Sequence, residues 1–95
     1  MASAEPTEET LEQVSYIISS TYREMVIDDL TDGMSTPGKI AHNQDSSIAH
    51  VSRALNEMRE RDLVQLMVPE ERQKGRIYAL TEKGEQAGKH ALEMN

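Results

Sequence analysis

The chain has 95 residues, a net charge of −7 and no Cys, Phe or Trp. That length supports one domain with a modest core of Leu, Ile, Val, Met and three Tyr, and it leaves little room for a deep catalytic cleft. Without cysteine, disulfides, thiolate zinc sites and thiol redox sensing are excluded. No apolar run approaches the roughly 20 residues that cross a bilayer. The opening MASAEPTEET has neither the basic start nor the apolar stretch of a signal peptide, so a cytoplasmic protein is the expectation.

The acidity is unevenly spread. Residues 1–35 hold eight acids and one base, Arg23; residues 36–80 hold six acids and seven bases; residues 81–95 hold three acids and two bases. The middle of the chain therefore stands at +1, and a negatively charged partner is compatible with the acidic total. An acid-rich chain with only four Lys suits high internal salt, as halophilic proteins do; an ordinary acidic soluble protein fits the same composition.

In chain order, residues 1–6 are small and polar and end at Pro6, the composition of a disordered arm. A helix over 7–18 carries Leu11, Val14, Ile17 and Ile18, with Glu8 and Glu9 in the first turn where the helix dipole favours acids. Its apolar surface exceeds what a solvated arm needs, so this helix and the last one are the candidate seam of a homodimer. A second helix over 21–31 opens on Thr21, at capping-box spacing from Glu24, and stops at Asp32-Gly33. Asp28 and Asp29 within it read as a solvated face rather than a catalytic pair. Thr36 as N-cap and Pro37 at the first helical position begin a short third helix, with Ile40 and Ala41 inward.

The segment 46–61 is the most regular helix. Ile48, Val51, Leu55 and Met58 form its inward stripe; Ser46, Ala49, His50, Arg53 and Glu57 fall on the other side. Strands follow at 64–68 and 76–80, joined by PEERQKG at 69–75, where Pro69 ends one strand and Gly75 permits the return. Thr81 caps a last helix to about Leu92, in which Gly84 and Gly88 each cost on the order of 1 kcal/mol against Ala. Two helices joined by a tight turn, then a hairpin with a basic loop, predict a mainly α chain with a small β-hairpin (α+β). The architecture is a winged helix-turn-helix: a three-helix core plus wing and terminal helices, in one domain over 7–95.

Three segments carry a family resemblance. TPGKIA (36–41), HVSRALNEMRERDLV (50–64) and GRIYALTEKG (75–84) resemble the T-P-x-x-I-A, V-S-R-x-L-x-x-L-x-x-x-G-L-V and G-R-x-Y-x-L-T-x-K-G motifs of ArsR- and MarR-type transcriptional regulators, archaeal ones in particular. With the acidic composition, the source implied is haloarchaeal. The resemblance spans roughly residues 20–88. It implies a sequence-specific, double-stranded DNA-binding regulator that acts by occupying a promoter as a homodimer. The recognition helix 46–61 would enter the major groove, the wing 69–75 would lie on the phosphates, and no cofactor is implied. Asp62 stands where the family has Gly, in a left-handed turn that Asp tolerates. Ser46 and Ser47 replace a glycine-led turn, and the Cys-containing metal-sensing motif of some ArsR members is missing.

The DNA-binding candidates are Thr36, Lys39, Ser46, Ser47, Ala49, His50 and Arg53 on the helices and Arg72, Lys74 and Arg76 on the wing. Short or hydrogen-bond-donating groups near a helix N-terminus suit phosphates and base edges. Plainer readings stand beside these. Arg53 could pair with Glu57 on its own helix, and Glu70 and Glu71 could neutralise the wing. A winged helix can also serve as a protein-interaction module without touching DNA. Single-strand binding needs aromatic platforms, and only Tyr16, Tyr22 and Tyr78 exist. His42, His50 and His90 share no metal-ligand spacing, and no nucleophile with its base points to an enzyme.

Overall fold

The computed structural model describes residues 7–94. The disordered arm expected over 1–6 lies outside them. The elements are α1 (Glu8–Ile18), α2 (Thr21–Leu30), α3 (Pro37–Asn43), α4 (Ile48–Glu60), β1 (Val64–Leu66), β2 (Tyr78–Leu80) and α5 (Glu82–Glu93). Together they form a winged helix of the α+β class, as the sequence predicts. No helix among the described residues is long and apolar enough to cross a membrane.

Every helix begins on a hydroxyl. Thr7, Ser20, Thr36, Ser47 and Thr81 accept from the N–H groups of Thr10, Arg23, Lys39, Ala49 and Gly84 and satisfy donors that a helix start leaves free. The cap of α2 is therefore Ser20 and not Thr21: Ser20 has the extended backbone (φ −142°) that turns its oxygen toward the first turn. For the same reason α4 starts two residues later than expected from the pattern, after the extended Ser47. Two left-handed aspartates end the helix-turn-helix elements. Asp62 (φ 62°) follows α4, as expected, and Asp45 (φ 51°) makes the tight turn between α3 and α4. Ser46 donates back across that turn to the Ala41 carbonyl at 2.9 Å.

The core joins all the helices. Val14 and Ile17 of α1, Val26, Ile27 and Leu30 of α2, Ile40 of α3, Val51, Ala54, Leu55 and Met58 of α4, and Ala87 and Ala91 of α5 are all buried, with Leu63, Val64, Tyr78 and Leu80 beneath the hairpin. Helix α1 packs along α5. It is part of this domain's core, since a chain lacking it would expose the apolar surface that its Val14 (2%) and Ile17 (0%) cover. Ile48 departs from the predicted inward stripe. It is 56% exposed, and Ala54 completes the buried face in its place.

The hairpin is shorter than predicted. Val64 pairs with Leu80 and Leu66 with Tyr78 in antiparallel register, and one further bond runs from Met67 N–H to the Ile77 carbonyl at 2.7 Å. Beyond it the loop leaves the ladder, and Gly75 (φ 66°) reverses the chain. Ser35 adds a rung on the other side of Tyr78 through N–H···O bonds of 2.8 and 3.0 Å. Asp28 and Asp29 are not a bare solvated face: they accept from the Gln44 and Asn43 amides, at 3.2 Å each, and tie α3 to α2.

Gly84, read from sequence as a weak point of α5, is required by space. A Cβ there would collide with the Leu63 carbonyl oxygen, and one at Gly88 would press on Ile27 Cγ2 at 3.0 Å. Gly84→Ala is thus expected to lower unfolding stability by about 3 kcal/mol, the upper part of the usual overpacking range. The helix-propensity argument alone predicts a gain. Urea unfolding of the variant decides between them, and a stabilised Gly84→Ala would refute the close approach.

Candidate nucleic-acid interface

At about 100° per residue, the buried stripe of α4 leaves Ala49, Arg53 and Asn56 pointing directly away from the core. Ala49, Arg53 and Asn56 are all exposed. The two flanks of the helix face different neighbours. On one side His50 stacks on the Tyr22 ring of α2, with centroids 4.5 Å apart, and Glu57 binds Arg23 at 3.2 Å. On the other side Ile48, Ser52, Asn56 and Arg59 line an open groove of about 570 Å³. Its second wall is the start of α3 (Thr36, Pro37, Gly38), and its third is the wing (Glu70, Gln73, Gly75, Arg76) with Tyr78.

The ten Lys and Arg side chains divide into groups. Arg23 pairs with Glu57, Arg59 and Arg76 share Glu70, and Lys83 pairs with Glu9 at 2.9 Å. Arg23 and Arg61 also lie over the Tyr16 ring, 3.8 and 3.9 Å from its centroid. Among the described residues, Lys39, Arg53, Arg61, Arg72, Lys74 and Lys89 have no carboxylate within ion-pair distance. Arg61 lies on the Tyr16 ring just after α4; Lys39, Arg53, Arg72 and Lys74 belong to α3, α4 and the wing, and all four are exposed.

The predicted site residues therefore fall into distinct settings. Lys39 is exposed at the start of α3, Arg53 on the outward face of α4, and Arg72 and Lys74 at the wing tip. Arg53 does not pair with Glu57, because Arg23 already holds that carboxylate. Thr36 and Ser47 direct their oxygens into helix caps. Ser46 is half-buried in the turn, and Ala49 is exposed beside it. His50 is exposed but turned to the α2 side, against Tyr22. Arg76 is not a free wing cation. Its guanidinium donates to the Tyr78 hydroxyl, the Arg72 carbonyl and Glu70 at 3.2–3.3 Å, and its side chain is 22% exposed. Of the two acids suspected of neutralising the wing, Glu70 does so for Arg76 alone. The sequence pattern assigns Ile48 to the inward stripe and does not single out Ser52, Asn56 and Gln73. Asn56 could have been found from its place opposite the buried stripe, whereas the pairing of Arg59 with Glu70 across the end of a helix leaves no local signal.

Glu70 is the hinge of the wing's electrostatics. Arg59 grips its two oxygens at 2.9 and 3.5 Å, and Arg76 adds a contact at 3.3 Å. The hydrogen bond from Arg59 holds the Glu70 carboxyl below the ordinary 4.5, with Arg76 adding to the shift. The same bond raises Arg59.

A three-helix unit whose last two helices meet at a tight turn, followed by an antiparallel hairpin, defines a winged helix-turn-helix, and solved structures agree. No family model and no curated protein matches the chain. ZitR of Lactococcus lactis, in its wild-type complex with DNA, superimposes with a TM-score of 0.67 at 26% identity, over 78% of this chain and 51% of that one. The chain thus spans about half the length of that DNA-bound ZitR chain. Quinone-bound YodB from B. subtilis superimposes with a TM-score of 0.71 at 23% identity, over 90% of this chain and 91% of that one. NadR in complex with 4-hydroxyphenylacetate gives 0.67 at 18% identity, over 98% and 76%. At 23% and 18% identity, the likeness to YodB and NadR is one of fold.

A carboxyl whose folded pKa lies below its unfolded value stabilises the fold above the unfolded pKa. That contribution disappears as pH falls through the folded one. Glu70→Gln is therefore expected to be less stable than the wild type at pH 7, with the gap closing as pH drops below 4.5. Urea unfolding of both proteins at neutral and acidic pH checks it; a gap of equal size at both would remove the ion pairs from the wing's stability.

Proposed function

We propose that this chain is a sequence-specific, double-stranded DNA-binding transcriptional regulator. The recognition helix, within 46–61, enters the major groove, and the wing, 69–75, lies along the phosphate backbone. One observation carries the reading. In a chain of charge −7, four of the six cations left without carboxylate partners among the described residues, Lys39, Arg53, Arg72 and Lys74, lie on α3, α4 and the wing. A protein that only needed solubility would gain nothing by that segregation, whereas phosphates reward it. The likeness to ZitR solved with DNA supports the same reading.

Dimerisation through α1 and α5 belongs to the proposal. Leu11 (50%) and Ile18 (37%) stay exposed on α1, as does Met94 (63%) after α5. A two-fold pair would set two recognition helices about one turn of DNA apart, on a pseudo-palindromic site. The setting proposed is cytoplasmic and salt-rich, in keeping with a haloarchaeal source. A protein-interaction module is the second reading, favoured by the acidic remainder of the surface.

Arg53→Ala is expected to leave the fold intact and to weaken specific binding by about 1–3 kcal/mol, the worth of one good base contact. Changing Arg72 and Lys74 to Ala together should weaken all duplexes about equally and flatten the log–log salt slope by about 0.9 per contact removed. Fluorescence anisotropy against selected and scrambled duplexes, from 0.1 to 2 M KCl, measures both. No binding to any duplex would leave the interaction-module reading in place. Leu11→Glu is expected to shift sedimentation from dimer to monomer while circular dichroism is unchanged; a full-length chain already monomeric at tens of micromolar would refute the dimer.

A further inference from the structure

Ile48 is the first residue of α4. By helical spacing from Val51 and Leu55 it belongs with the core, yet it is 56% exposed. A lone exposed aliphatic side chain needs no explanation by itself. Its surroundings supply one here. Ile48 lines the groove between α3, α4 and the wing, with Ser52 and Asn56 further along the same wall. Gly38 faces it across the groove mouth, where a Cβ would stand 3.9 Å from Ile48 Cδ1, so nothing larger shields the side chain. The unpaired cations Lys39, Arg53, Arg72 and Lys74 belong to the elements on either side.

A phosphate backbone, which those cations suit, offers nothing to an aliphatic group. The base edges of the major groove carry hydrogen-bond donors and acceptors and one methyl, the C5-methyl of thymine. We infer that Ile48 is a specificity-determining residue that packs on a thymine methyl in the major groove. The inference rests on the DNA-binding reading above and adds a base identity to it. Ser47 caps the helix with its own hydroxyl, which ties down the backbone of the first turn that carries Ile48.

The test removes that methyl and nothing else. Duplexes are first selected from a random library with the full chain, and each thymine of the enriched site is then replaced by uracil. Wild-type affinity is expected to fall about fourfold at one thymine per half-site, the worth of one buried methyl group. Ile48→Ser should bind more weakly and be indifferent to uracil at that position. Ile48→Val, which keeps a branched apolar tip, should retain the discrimination. Because the side chain is exposed, circular dichroism of both variants should match the wild type. If a site is enriched but uracil is tolerated everywhere, or if Ile48→Ser keeps the full thymine preference, this inference is overturned and the DNA-binding reading stands. If no duplex is enriched, both are overturned.

Discussion

The geometry of the interface depends on Tyr78. It is 4% accessible, is paired with Leu66 across the hairpin, and exchanges two backbone hydrogen bonds with Ser35 on its other side. Its hydroxyl accepts from Arg76. One residue therefore joins the chain entering α3, the strand leaving the wing and the floor of the groove. Without that rung the wing would be a two-stranded ribbon, which is marginal by itself in water. With it, the wing base stands in a defined place beside α4.

Side-chain charges complete what the backbone begins. Glu70 clasps Arg59 of α4 and Arg76 of the wing and so fixes the spacing between them. Glu57 is held by Arg23 of α2, which releases Arg53 from a pairing that its own helix would otherwise permit. Exposed pairs of this kind contribute little stability each. Their consequence is selection: acids within the domain occupy some cations and leave others open. The result is a cationic rim on a chain whose total charge is −7.

The outward groove holds an apolar spot at Ile48, amides at Asn56 and Gln73 and the Glu70-bound guanidiniums of Arg59 and Arg76, while the unpaired cations stand elsewhere on the elements that form its walls. That mixture suits a ligand with charged edges and a patterned interior, which is how the major groove of DNA is built.

Much of this was legible in the residues. The helix starts are written as Ser and Thr before apolar runs, and Thr36-Pro37 and Thr81 act where local chemistry predicts. Asp62 shows that a left-handed turn can be read from one residue type. The alternation of the hairpin, the amphipathic α4 and the order of elements determined the fold class, because each depends on neighbours a few positions apart. Tertiary structure decided the rest. It put Ile48 outside a stripe whose spacing it fits, since Ile48 lies on the flank of α4 that faces the open groove while Val51, in the same turn, is buried. It turned Gly84 from a helix weakness into a packing requirement, because α5 crosses the Leu63 carbonyl at contact. It also decided which cations are free. Arg53 is open and Arg76 is bound because Glu57 and Glu70 lie nearer in space to Arg23, Arg59 and Arg76 than sequence distance suggests, and ion pairing follows distance in space.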